Sequence, residues 1–112
     1  MNERRFKVAS VDEVREDGTL QVKCGAVPVC LYNVGGRIYA THDVCTHGHA
    51  SLADGFIEGE NIVCPLHQGL FHIPTGKAVG APCMKDISVF SVEVDNGAVY
   101  VAIAELGVKA AK

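Results

Sequence analysis

Two apolar runs, 27–34 and 37–42, meet at the dipeptide Gly35-Gly36. A Gly-Gly pair supplies two consecutive positive-φ positions at little steric cost, so it predicts a tight hairpin turn with a strand on either side. Asp95-Asn96-Gly97 makes the same prediction between runs 88–94 and 98–103. Four further short runs, 6–9, 21–24, 61–64 and 70–73, are bounded by turn residues and read as strands. Residues 10–14, Ser-Val-Asp-Glu-Val, have room for one helical turn, capped by Ser10 with acids near its N-terminus. Nowhere do apolar residues recur with the period of a long amphipathic helix. The final ELGVKAAK is expected to fray. This pattern specifies an all-β domain.

The 112 residues suit one domain and are too few for two, and neither a repeat nor a low-complexity linker divides them. Although 48% of residues are hydrophobic, no run approaches the roughly 20 apolar residues of a membrane-spanning helix. The N-terminal MNERRFKVAS has charge without the apolar stretch of a signal peptide. No membrane and a cytoplasmic location are the expectation. A net charge of −3 without a Lys/Arg cluster argues against nucleic acid as a partner.

Chemistry concentrates in CTHGHASLADGFIEGENIVCPLH, from Cys45 to His67, which carries Cys-x-His at one end and Cys-x-x-His at the other. Thiolate and neutral imidazole both suit zinc or an iron–sulfur cluster. Zinc fingers usually place both cysteines in one pair and both histidines in the other. Here each pair is mixed, an arrangement that suits a binuclear cluster whose two irons each take one ligand from each loop. A structural zinc module is the competing reading. Of the five cysteines, Cys24, Cys30 and Cys83 remain, best read as small buried hydrophobes. A Cys24–Cys30 bridge across a turn is not expected.

On Cys45-Thr46-His47 and Cys64-Pro65-Leu66-His67, the chain resembles the Rieske [2Fe–2S] family, from about Thr41 to Asp86 and including Gly80-Ala81-Pro82-Cys83. The resemblance implies a Rieske-type antiparallel β-sheet sandwich in a single domain over 1–112, with a small cluster-binding subdomain over about 43–71 and a covering Pro loop over about 80–84. It implies one [2Fe–2S] cluster, with Cys45 and Cys64 on the inner iron and His47 and His67 on the outer iron. Two imidazoles in place of thiolates remove negative charge, so the potential lies above that of an all-cysteine ferredoxin.

Departures from the respiratory members refine the expectation. The positions of their loop-bracing disulfide correspond to His49 and Leu66, which cannot form it, and His67 is followed by Gln68-Gly69 where high-potential members have Gly-Ser. Fewer donors to the cluster sulfurs imply a potential of about −150 mV, low for the class. The chain resembles the small ferredoxin of a bacterial aromatic-ring-hydroxylating oxygenase. That implies a monomeric carrier passing single electrons from an NAD(P)H-dependent flavin reductase to a terminal oxygenase. The carrier itself is not an enzyme, since the histidines end at His72 and a mononuclear iron triad needs more. A small Rieske subunit of a nitrite or arsenite oxidoreductase is the alternative.

Other residues invite lesser readings. His42 reads as a polar strand-end residue, His72 as a satisfied, partly buried one, and His49 as exposed or at a docking surface. Gly48 and Gly69 adjoin ligands and suit close backbone approach, whereas Gly55 and Gly59 suit ordinary turns. Asp54, Glu58 and Glu60 form a solvated acidic loop able to steer a basic partner. Leu66, Leu70, Pro82 and Met84 would form an apolar collar, with Cys83 a buried thiol and not a ligand.

Overall fold

The computed structural model describes residues 3–46, 50–65, 69–80 and 85–104. Its strands are β1 (Glu3–Ser10), β2 (Thr19–Cys24), β3 (Val27–Val34), β4 (Arg37–His42), β5 (Phe56–Glu58), β6 (Asn61–Val63), β7 (Leu70–His72), β8 (Ala78–Gly80), β9 (Val89–Asp95) and β10 (Ala98–Ala104). Every described pairing is antiparallel. A six-stranded base runs β1-β10-β9-β4-β3-β2, and a smaller sheet runs β5-β6-β7-β8.

The hairpins anticipated from composition form where expected. Val34 pairs with Arg37 around Gly35 (φ 60) and Gly36 (φ 90), and Asp95 pairs with Ala98 around Asn96 (φ 52) and Gly97 (φ 79). Strand β1 begins three residues earlier than its apolar run because β10 continues to pair with it as far as Glu3↔Ala104. Strands β5 and β8 were not anticipated: three residues are too few to carry an alternating pattern, and each exists by pairing with a neighbour. The one-turn helix is a 3-10 turn over Val11–Glu13. Ser10 is its N-cap residue, with its backbone N–H donating to the Glu13 carboxylate at 2.9 Å. The C-terminal ELGVKAAK lies outside the described residues.

Strand β3 is the wall between two cores. Val29 and Leu31 face one way, into the base core with Ala9, Val14, Cys24, Ala40, Val99, Val101 and Ile103. Cys30 and Tyr32 face the other, into a core built with Ile62 and Phe71 of the small sheet. Alternation along one strand thus sends successive side chains into different compartments. Cys24 and Cys30 fall on opposite sides of this wall as free thiols, so no bridge joins them.

Gly55 closes a turn as expected, its N–H donating to the Leu52 carbonyl at 3.0 Å, and carries a second constraint. A methyl group there would collide with the carbonyl oxygen of Val63, so the residue is required by the approach of another strand. Gly59 (φ 64) sits in the two-residue turn between Glu58 and Asn61, as anticipated.

Candidate metal centre

Each ligand-type cysteine opens a loop that its own amide closes. The Cys45 N–H donates to the Ala50 carbonyl at 2.9 Å, and the Cys64 N–H donates to the Gly69 carbonyl at 2.7 Å, five residues on in both cases. The first loop lies between β4 and β5, backed by a bridge between Val44 and Ser51. The second joins β6 to β7, so Gly69 contributes its carbonyl to loop closure. Strand β6 stops at Val63, leaving Cys64 at the mouth of its loop and not within the strand.

Both cysteines are withdrawn from water, Cys45 at 2% and Cys64 at 0% exposure, and both belong to the core of Cys30, Tyr32, Leu52, Ile62, Phe71, Ile73 and Ile87. Two loop-borne thiols reaching one dry compartment form a soft donor set suited to an iron–sulfur cluster. Cys30 shares the compartment but sits within a strand, and burial pushes its thiol far above the ordinary range, so it stays protonated. His47 and His67 lie outside the described residues, as do Gly48, His49, Leu66, Gln68, Pro82, Cys83 and Met84. Of the expected apolar collar, Leu70 is described; it is partly buried and packs against Gly80.

The residues that hold the first loop carried no signal in sequence reasoning. Asp43 is 1% exposed, and its carboxylate accepts from the Gln21 side-chain amide at 2.6 Å, the Ser51 hydroxyl at 2.6 Å and the Ala53 backbone at 3.0 Å. Its own N–H donates to the Pro28 carbonyl at 3.0 Å, and its carbonyl accepts from Leu52 at 2.7 Å. Thr19 adds a hydroxyl bond to the Ala53 carbonyl at 2.8 Å. Strand β2 thereby grips a 3-10 turn over Leu52–Asp54. On its other side, the Thr46 hydroxyl donates to the Lys85 carbonyl at 2.8 Å.

The described histidines outside the pairs, His42 and His72, are satisfied. His42 ends β4, its Nδ1 accepts from the Val44 N–H at 3.2 Å, and burial holds its pKa below the usual value against an opposing pull from Asp43. His72 contacts the Thr75 hydroxyl at 3.0 Å and the Glu60 carboxylate at 3.3 Å. Asp54 and Glu58 are exposed, as the solvated-loop reading expects. The Thr41 hydroxyl donates to the His42 carbonyl at 2.9 Å, so the buried Tyr32 hydroxyl, 2.7 Å away, must donate to Thr41. Burial keeps that phenol protonated.

Comparison with known proteins agrees with this geometry. The family model described as Rieske [2Fe-2S] domain matches residues 4–92. The ferredoxin component of naphthalene 1,2-dioxygenase/salicylate 5-hydroxylase systems from Ralstonia sp is 44% identical over 96 residues, 86% of this chain and 92% of the relative. The chain is similar, at 42% identity and a TM-score of 0.84, to a chain in the solved complex of reduced oxygenase and oxidized ferredoxin in carbazole 1,9a-dioxygenase, covering 90% of this chain and 94% of the other. The ferredoxin of Sphingomonas yanoikuyae B1 superposes with a TM-score of 0.85 at 32% identity, over 90% of this chain and 100% of the other. Among the described residues, no helix is long and apolar enough to cross a membrane.

Proposed function

Because the chain belongs to the Rieske [2Fe-2S] domain family, we propose that it is a Rieske-type ferredoxin passing single electrons from an NAD(P)H-dependent flavin reductase to the terminal oxygenase of an aromatic-ring-hydroxylating system. It is a cytoplasmic, monomeric carrier and does not itself turn over substrate. The observation that carries the reading is the pair of matching closed loops that brings Cys45 and Cys64 into one dry core. Likeness to dioxygenase ferredoxin components supports the choice of system.

Cys45 and Cys64 hold the inner iron of the one [2Fe–2S] cluster, and His47 and His67 hold the outer iron, within a subdomain over about 43–71 covered by the Pro loop over about 80–84. The bound cluster supplies reversible one-electron chemistry. The chain's own residues do the rest. The apolar core of Leu52, Ile62 and Phe71 excludes water from the thiolate side. His47 and His67, as neutral donors in place of thiolates, lessen the repulsion met by an added electron.

The test is low-temperature electron paramagnetic resonance of the dithionite-reduced protein, with its visible spectrum. A red-brown protein giving a rhombic signal of low average g is the expected result. A colourless protein with one zinc per chain would overturn the reading. Reconstitution with a naphthalene-type reductase and oxygenase then tests the system: hydroxylation should require this chain.

A further inference from the structure

Asp43 is a nearly dehydrated carboxylate whose three side-chain contacts all come from donors: the Gln21 amide at 2.6 Å, the Ser51 hydroxyl at 2.6 Å and the Ala53 N–H at 3.0 Å. A buried carboxylate is tolerated only with such compensation. The polarity of the set is fixed by its members. The Ala53 amide can only donate, and the Gln21 nitrogen and Ser51 hydroxyl both donate to Oδ2, so the two carboxylate oxygens accept the whole set. An amide at position 43 that keeps the Ala53 bond turns its nitrogen on Gln21 and Ser51, both of which must then reverse. The set also spans the fold. Gln21 belongs to β2 of the base, Ser51 and Ala53 lie just beyond the first ligand loop, and Asp43 stands two residues before Cys45. With its backbone bonded to Pro28 on one side and Leu52 on the other, Asp43 pins both ends of the segment that carries Cys45.

We propose that Asp43 is the positioning residue of the first ligand loop: it ties the Cys45 loop to base strand β2 through a hydrogen-bond set in which its carboxylate is the common acceptor. This role rests on the reading of Cys45 as a ligand. It predicts that the two loops respond separately, because the Cys64 loop is closed by the Gly69 carbonyl, whereas the Asp43 carboxylate bonds to Gln21, Ser51 and Ala53.

The experiment compares the holoproteins of wild type, Asp43→Asn and the double variant Gln21→Glu/Asp43→Asn by hydrogen exchange and by redox titration. In Asp43→Asn the common acceptor of the Gln21 and Ser51 donors is replaced by a donor and both must rearrange, so peptides over 43–54 should exchange at least tenfold faster while peptides over 61–73 keep the wild-type rate. The reduction potential should rise, because a negative charge next to the ligand segment is lost. A tenfold change in the oxidised-to-reduced ratio reads as about 59 mV for one electron. The double variant reverses donor and acceptor across the same contact and should return both readouts toward wild type, an outcome that mere loss of packing at position 43 would not give. Wild-type exchange and potential in Asp43→Asn, or no recovery in the double variant, would overturn the proposal. If Asp43→Asn does not accumulate, Ser51→Ala removes one donor and leaves the charge; it should still speed exchange over 43–54, and an unchanged rate there would equally overturn it. A wild-type protein lacking the rhombic signal would remove Cys45 as a ligand, and the exchange comparison would still read the brace.

Discussion

The Ile87 N–H donates to the Gly76 carbonyl at 2.8 Å, and the two backbones are so close that a methyl group on Gly76 would collide with the Ile87 carbonyl oxygen. This contact seats the β7–β8 hairpin against the segment leading into β9, with Ile87 filling the core that contains Cys45 and Cys64. The small sheet is therefore fastened to the base at a point where no side chain fits.

Gly76→Ala tests that fastening. Gly76 has φ 76, and a left-handed conformation costs a non-glycine residue about 1–2 kcal/mol before the collision is counted. For a domain of this size that is a fall in melting temperature of about 4–8 °C per kcal/mol. Thermal bleaching of the visible absorbance, followed with far-ultraviolet circular dichroism, should show at least that loss.

The ligand set is tested against its nearest impostor. Cys64→Ser and His47→Cys should each abolish the rhombic resonance signal and electron delivery to the oxygenase. Cys30→Ala should keep both, since a buried, protonated thiol within a strand contributes packing, about 1 kcal/mol for its lost bulk, and a weak bond to the Leu31 carbonyl at 3.7 Å. An unchanged spectrum in Cys64→Ser would remove that residue from the ligand set.

His42 makes stability depend on mildly acid pH. Burial lowers its folded pKa below the ordinary value of about 6.5, so between the two values the unfolded chain binds more protons than the folded one. Its contribution is therefore fully present above about pH 6.5 and is lost as pH falls from there through the lower folded value. Protonation would also turn the Nδ1 acceptor of the Val44 N–H into a donor. Urea midpoints measured from pH 8 to pH 5 should fall more steeply for wild type than for His42→Asn.

The His72–Glu60 contact should matter little. At 3.3 Å, with the Glu60 side chain 63% exposed, it is a surface pair worth less than about 1 kcal/mol. Glu60→Gln should leave the resonance spectrum unchanged and shift the urea midpoint only slightly. A lost spectrum would place this pair in the metal centre.

What could be read from the residues was what they decide locally. Gly35-Gly36 and Asn96-Gly97 turn the chain through their own backbone freedom, and strands β3 and β4 matched their apolar runs to the residue. Gly55 does close a turn, its N–H donating to the Leu52 carbonyl at 3.0 Å, but its second constraint, the Val63 carbonyl, was not legible because it belongs to another strand. Strands β5 and β8 exist through pairing with β6 and β7, which Phe-Ile-Glu and Ala-Val-Gly do not by themselves announce. The brace at Asp43 was equally invisible, for its partners Gln21, Ser51 and Ala53 lie 22, 8 and 10 residues away and no short motif joins them.

The sequence by itself supplied two mixed Cys/His pairs in a β-rich chain, because residue chemistry and turn propensity are properties of residues and their immediate neighbours. Only the tertiary structure decided which face of β3 meets the core that holds Cys45 and Cys64, and which carboxylate bonds to the segment beyond the first loop. Those outcomes depend on burial and on hydrogen bonds between distant segments, and both exist only once the two sheets have packed.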